Sequence, residues 1–466
     1  MHISTVYSLN ITVVLKFGTK VFTNAPEMMT GTLPDGSIWP LWRKVAFRFA
    51  FIYLLLYTKP WSLAAGSLPW LHLDFITQYY DQAWDWIVRF ANAHWFNVAE
   101  ELVPFNGSGD TSFGWAQLWL MLIIAVVGCA IWSVLDDKRK NYETVDYWLR
   151  VCVRYYIAFF CFVYGIIKIF ALQMIFPNIS QLATPLGDLL PMRFSWLFIG
   201  YSTPYQVFSG VMETLAGLLL LNRKTVTLGL VTATGVFLHV FVLNLAYDIP
   251  VKLFSGHLLL FSIYLLSYEM DRLINFFILN RVSEPNRSFE ITFDKKWMQW
   301  ARIGAKVVFV IVAFIMPVFQ SYERHHQVYD QPDSRPIKSG LYDVDLYVLN
   351  NSDTVPALAS DSLRWKNIAF EKGGFGSVDA SEPMFVSRYH RSYFNYKIDT
   401  VNRRLNFVMF RDTVPLLSMK YRFPDENTID LHSMYKGDSL FMRLKRSKRH
   451  FQLTERQFHW LSESNR

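Results

Sequence analysis

The chain reads as an α-helical polytopic membrane bundle of about seven spans, joined to an all-β antiparallel C-terminal domain, a small barrel or sandwich. Three observations predict this. Apolar runs long enough to cross a bilayer recur as far as Val318, and after Tyr322 they give way to short runs that alternate with period two. Charge is scarce as well: 18% of the 466 residues are charged, against 52% hydrophobic and 17% aromatic. Soluble domains carry about a quarter charged residues.

The elements follow in order. Residues 1–44 form an N-terminal segment, in which Tyr7–Leu15 is too short to span. No small-residue cleavage site follows it, which argues against a signal peptide. Met28 and Met29 offer an alternative start. Residues 45–146 hold two leading spans, Val45–Trp61, which is short and contains Arg48, and Gly114–Leu135. Between them, Trp70–Phe96 is aromatic and broadly amphipathic, and Trp and Tyr favour the headgroup level, so this stretch is expected to be an interfacial collar or lid. Residues 147–268 hold four spans, Tyr147–Met174, Tyr205–Leu221, Thr225–Tyr247 and Val251–Leu266; residues 269–320 add a loop and a last span, Ala301–Val318. Each run approaches the 17–25 residues, or about 30 Å, that a bilayer core requires.

Lys and Arg set the expected orientation. Arg43, Lys44, Lys138, Arg139, Lys140, Arg223, Lys224, Arg272, Arg281, Arg287, Lys295 and Lys296 all fall in alternate loops. Positive loops stay cytoplasmic, so the expectation is an inner-membrane protein with a cytoplasmic N-terminus and a periplasmic C-terminal domain. The net charge of +8 then follows from topology, and no nucleic-acid partner is expected. Cys129, Cys152 and Cys161 all lie inside predicted spans, with no CxxC pair. That excludes a disulfide framework and thioredoxin-type chemistry.

Residues 321–466 carry strand patterns: Tyr342–Val348, Tyr396–Ile398, Leu405–Met409, Met419–Phe423, Ile429–Leu431 and Leu440–Leu444, with turns at Thr400–Asn402, Pro424–Asn427 and Lys436–Asp438. Period-two alternation marks half-buried strands. The tail Phe451–Arg466 is expected to pack against them. His325, His326, His390, His432, His450 and His459 are scattered without metal-ligand spacing, so a structural or binding module is expected, with no metal. An up-and-down barrel could hold an apolar ligand.

The candidate site comes from depth. At about 1.5 Å per residue, Lys168 lies roughly 9 Å below the outer end of its span, Glu213 and His239 roughly 12 Å, His257 roughly 8 Å and Asn244 roughly 5 Å. Asp248 and Lys252 form the rim, and Tyr164 lies one turn from Lys168. Arg150, Arg154, Cys161, Gly165, Lys168 and Leu172 step along one helical stripe; Gln206, Gly210, Glu213 and Gly217 form another whose small residues permit close approach. Ionisable residues at membrane depth are costly and mark functional sites. Lys168, Glu213, His239, Asn244, His257 and Tyr164 are therefore the candidate ligand-binding cluster, and Arg150 and Arg154 are cytoplasmic-end anchors that can snorkel to headgroups. A structural Lys–Glu register pair is the competing reading.

Two motifs resemble the DoxX family of four-helix membrane proteins: Arg154 followed by Tyr164-Gly165-Ile166-Ile167-Lys168, and Gly210-Val211-Met212-Glu213-Thr214-Leu215-Ala216-Gly217-Leu218-Leu219-Leu220. The likeness covers about Trp148–Leu266. It implies a four-helix core in which Arg154, Lys168 and Glu213 match the family pattern, and a place among relatives that serve quinone-linked oxidoreductases, associate with redox-defence proteins, or act as cargo receptors or chaperones. The layout looks like the large DoxX-like proteins of Bacteroidetes; the extra helices and the β domain depart from a plain quinone-reducing subunit. With no haem, flavin, iron–sulfur or CxxC signature, no cofactor is expected in the chain itself. An accessory subunit with a bound quinone or lipid, and a redox or envelope protein as partner, is one expectation. A non-enzymatic envelope protein whose β domain binds a partner or lipid is the other.

Overall fold

The computed structural model describes residues 38–61, 74–284, 289, 291, 293–330, 333–350, 364–380, 385–408, 415–435, 437–455, 459–461 and 463. Tyr7–Leu15, Met28, Met29, Trp70, Arg287, Met409 and Lys436 lie outside the described residues. Two compact units emerge: Met1–Val163 with Glu213–Val242 and Pro250–Ile315, and Tyr164–Met212 with Leu243–Ile249 and Met316–Arg466.

The helices are α1 Leu41–Thr58, α2 Asp74–Ala91, α3 Ser112–Leu135, α4 Glu143–Ile169, α5 Ile179–Ala183, α6 Pro191–Tyr201, α7 Thr203–Leu220, α8 Val226–Ala246, α9 Lys252–Ser267 and α10 Met270–Phe277. A long helix, α11 Lys296–Tyr329, carries a π-helical turn at Ile311–Ile315. Four of them, α3, α4, α8 and α11, are long and apolar enough to cross a membrane; a fifth counts if α9 and α10, bent by 78°, form one span. Among the described residues the test of length and apolarity does not confirm the expected count of about seven, for physical reasons. Arg43, Lys44 and Arg48 load α1 with charge, and α9 alone has 16 residues, about 24 Å of helix. The opening Thr203-Pro204-Tyr205-Gln206 and Glu213 dilute α7.

Within the first unit, α3 starts on a Thr111 side chain that accepts from the Gly114 amide. It is apolar all round, and Trp119, Val126, Ile131 and Val134 stand exposed, a surface suited to a helix that can cross a membrane. Aromatic rings fill the space between helices: Tyr156 and Phe160 of α4 meet Phe261 and Phe254 of α9, and Phe162 meets Phe309 and Phe314 of α11. Gly217 of α7 permits the α4 contact, since a Cβ there would sit 2.8 Å from the Phe162 ring. The α1 charge that weakened its span reading is inside. Arg48, 1% exposed, donates to Tyr142 Oη from Nε and Nη2, to Ser133 Oγ from Nη1, and to the Asp136 carbonyl from Nη2, at 2.7–2.9 Å. It ties α1 to the α3–α4 turn. At the other end of α3, the Asp110 carboxylate accepts from the Lys252 and Leu253 amides at 2.8 and 2.9 Å and caps α9 from 142 residues away.

α2 shows three faces. Trp84 and Val88 are buried, with Trp84 Nε1 donating to Gln117 Oε1 of α3. Tyr79, Trp86 and Phe90 are exposed aromatics, and Gln78, Asp81, Gln82 and Asp85 are polar.

The second unit is dominated by an antiparallel β-barrel: β1 Gly340–Leu349, β2 Asn367–Phe370, β3 Phe375–Val378, β4 Val386–Arg388, β5 Arg391–Asp399, β6 Arg404–Val408, β7 Pro415–Asp425, β8 Thr428–Tyr435 and β9 Asp438–Arg446. The expected alternative, a sandwich, is set aside by the pairing. β1 pairs with both β2 and β9, and β3 pairs with β5, so eight strands close a meandering ring while β4 lies on the β6 edge of β5. Phe370, Phe394, Phe407, Met419, Leu431, Met442 and Leu444 are buried together in the barrel core. The interior is filled by side chains, as expected of a barrel of this strand number. Of the tail, Phe451 packs beside Ala183, Leu341 and Ala369, and Gln452–Glu455 adds a single helical turn.

In the same unit the barrel holds the segment before α6. Asn178 and Gln181 form a capping box on α5, and the Glu371 carboxylate accepts from the Ile179 amide, the Ser180 amide and Ser180 Oγ at 2.7–3.3 Å. Arg449 donates to the Ala183 carbonyl at the far end of α5.

Candidate functional site

The structure distributes the expected cluster over the two units. Lys168, Tyr164, Asn244 and Asp248 belong to the second, and Glu213, His239, His257 and Lys252 to the first. Lys168 and Glu213 are buried, at 6% and 1% exposure, and Asn244 and His257 are each buried as well. Tyr164 is half-buried. His239 is exposed on α8, so it stands outside any buried group: its turn of helix carries Phe237 inward instead. Asp248, exposed, adopts φ 49° at the end of α8. Lys252 faces Asp110, with Nζ 3.7 Å from Oδ2. Arg150 pairs with Asp146 at 3.0 Å, and Arg154 is half-buried on the same helix.

His257 is the best-defined of these. Its Nδ1 lies 2.5 Å from the Leu253 carbonyl oxygen, one turn back on α9. A carbonyl only accepts, so Nδ1 carries the proton, which in the neutral ring leaves Nε2 as the acceptor. Tyr53 Oη of α1 lies 2.5 Å from Nε2 and is the donor. Tyr57, one turn further along α1, stacks on the imidazole with centroids 3.8 Å apart, and Phe261 meets both rings edge-on. The group is a histidine in an aromatic slot, with a Tyr–His–carbonyl chain through it. Nearby, Thr58 Oγ1 bonds back to Leu54 and lies 4.0 Å from Cys152 Sγ. A ligand with a carbonyl or hydroxyl end could exchange with the Tyr53 hydroxyl, and the rings supply the apolar remainder.

In the second unit the expected glycine stripe holds. A Cβ on Gly210 would sit 2.5 Å from the Gly165 carbonyl oxygen and 2.8 Å from Lys168 Cβ. Gln206, fully buried, pairs with the Met174 backbone at both ends of its amide, Nε2 to O at 2.7 Å and Oε1 to N at 2.9 Å. Among the described residues no group of three His, Cys, Asp or Glu side chains could hold a metal ion.

Sequence reasoning passed over Tyr53, Tyr57, Asp110 and the buried role of Arg48. The four-residue spacing of Tyr53 and Tyr57 was the available signal for the slot; nothing local points from Asp110 to α9.

A bundle of apolar helices with sealed ionisable groups, followed by a filled β-barrel, defines a multi-helix membrane-type protein with an appended β domain. The chain is similar to the uncharacterized protein YwoB of Bacillus subtilis, with 31% identity over 126 residues, 27% of this chain and 79% of that protein. Over that stretch it belongs to the YwoB family. No family model and no solved structure matches the chain.

Proposed function

We propose that the chain is a multi-pass inner-membrane protein of accessory kind, which holds a lipid-soluble ligand, a lipid or a quinone, against the polar interior of its helices. The observation that carries this reading is Glu213, 1% exposed, on the helix whose Gly217 packs against α4. An ionisable group sealed among apolar helices is costly, which favours a functional reason for keeping it. The His257–Tyr53–Tyr57 slot supports the same reading by offering a polar handle between rings. The DoxX-like motifs around Lys168 and Glu213 point to relatives that serve redox complexes. On this reading electrons, where any move, come from a partner. The N-terminus lies in the cytoplasm and the β domain in the periplasm.

Mass spectrometry of lipids extracted from the purified full-length protein tests the proposal. One lipid or quinone should co-purify, and Glu213→Gln should remove it. An unchanged yield from Glu213→Gln would sink the reading. For the orientation, a single cysteine at Ser439 should react with an impermeant reagent in intact spheroplasts; protection would overturn it.

The filled barrel favours a second reading, in which the outer face of the β domain binds an envelope partner and the helices anchor it. Deleting residues 322–466 separates the two, since ligand retention survives under the first and function is lost under the second.

A further inference from the structure

Three helix ends in the first unit meet around a cavity of about 300 Å³: the start of α4, the α7–α8 turn with the first turns of α8, and the α9–α10 bend. Its polar wall carries Arg150, Arg154, Arg223, Lys224 and Arg272, with Glu269 the carboxylate among the lining residues. Asp146 stands behind Arg150. Five cations and two carboxylates leave the group with a formal excess of three positive charges.

The pairings orient this wall and do not neutralise it. Asp146 Oδ2 holds Arg150 Nε at 3.0 Å, while its Oδ1 accepts from Tyr268 Oη at 2.6 Å. Arg150 also lies over the Tyr268 ring and donates to the Phe289 carbonyl. Arg272 Nη1 reaches Glu269 Oε2 at 2.5 Å and Thr227 Oγ1 at 3.3 Å, and Arg223 Nη2 donates to Tyr147 Oη at 3.0 Å. Among the described residues, the buried Nε atoms of Arg154 and Arg272 have no hydrogen-bond partner. The carboxylates leave this wall uncompensated, and guanidinium groups held around one cavity with an excess of positive charge call for an anion.

The rest of the lining says what kind. α8 begins at Val226 on the cavity wall, so the orphaned amides and positive pole of a 21-residue helix add to the field. Guanidinium forks match phosphate oxygens in pairs, and an excess of three charges suits a dianion better than a monoanion. Val151, Leu230 and Leu265 give the cavity an apolar side. α4 and α8 are long and apolar enough to cross a membrane, so their ends lie where headgroups lie. We propose that this cavity is a binding site for the phosphate of a membrane lipid, with the start of its apolar chain along Val151, Leu230 and Leu265. The site is separate from the His257 slot.

Native mass spectrometry of the full-length protein in detergent is the test, with short-chain phosphatidic acid, phosphatidylcholine, a fatty acid and inorganic phosphate as probes. One phosphatidic acid per chain should bind in preference to phosphatidylcholine and the fatty acid. Arg154→Met and Arg272→Met should each weaken it by about tenfold or more. Lys224→Gln, at an exposed position, should weaken it by about two- to fivefold. Arg302→Met, a basic residue away from the cavity, should change nothing. Equal binding of phosphatidylcholine, or retention of affinity in Lys224→Gln together with the two arginine variants, overturns the site. Competition by inorganic phosphate as strong as that by the lipid overturns the lipid and leaves a site for the free anion. A co-purified ligand whose yield Glu213→Gln leaves unchanged, with these results intact, would refute the proposed function alone.

Discussion

Three glycines of the helical region form a graded test of how closely the helices pack. An alanine Cβ at Gly210 would lie 2.5 Å from the Gly165 carbonyl oxygen and 2.7 Å from the Ile169 nitrogen, both backbone atoms. Ordinary contact begins near 3.4 Å, so the two helix backbones must part by about 0.9 Å, the difference between these distances. Backbone cannot swing aside as a side chain can, and overpacking of this kind costs about 1–3 kcal/mol. At Gly217 the obstacles are the Phe162 ring at 2.8 Å and Cys161 Cβ at 3.1 Å, side-chain atoms rather than backbone, and about 1 kcal/mol is expected. Gly235 has nothing within 4 Å, so alanine there should be neutral or stabilise by roughly 0.5–1 kcal/mol through helix propensity. Thermal unfolding of the three alanine variants in one detergent should rank them Gly210 below Gly217 below Gly235. A Gly210→Ala protein as stable as Gly235→Ala would refute the close approach of α4 and α7.

Other consequences follow from buried groups. Arg48→Met breaks a four-bond network at 1% exposure and should destabilise the protein by about 3–5 kcal/mol; a loss under 1 kcal/mol in the same unfolding assay would contradict the network. Phe407→Ala empties space ringed by Trp365, Phe385 and Phe394 and should cost about 3–5 kcal/mol, read as faster proteolysis of the barrel. Burial lifts the Glu371 carboxyl above the usual range, although the Ser180 and Ile179 donors and Arg391 favour its charge. The folded state therefore binds this proton more readily than the unfolded chain. Stability from this group is present at and below the ordinary glutamate value and is lost as pH rises through the raised one. Hydrogen-exchange protection of β2 and β3 should fall over that window in the wild type and stay level in Glu371→Gln; equal slopes would show that Glu371 is not the titrating group.

What was legible in the sequence is what repeats locally. The long uninterrupted runs gave α3, α4, α8 and α11, and period-two alternation gave β1 and β5–β9. β2 and β3 were passed over because Asn367–Phe370 and Phe375–Val378 are four residues each, too short for alternation to register. Depth arithmetic brought out Lys168, Glu213, Asn244 and His257 as buried but could not show which way a residue turns, so His239 was grouped with them. The arginines at the start of α4 read as anchors because their companions, Arg223 and Arg272, come about 70 and 120 residues later, and only folding brings them to one cavity.

The barrel ring has a consequence for how the domain is made. Its closing seam joins Tyr342 to Arg446, while most other pairings join strands that follow one another directly. Hairpins can therefore form as the chain emerges, but β1 and β8 remain open edges until β9 arrives. Open edges invite pairing with other chains. A molecule interrupted between Tyr435 and Asp438 would be a nearly complete sheet with two adhesive rims, and synthesis of the domain is safest when its last strand follows without pause.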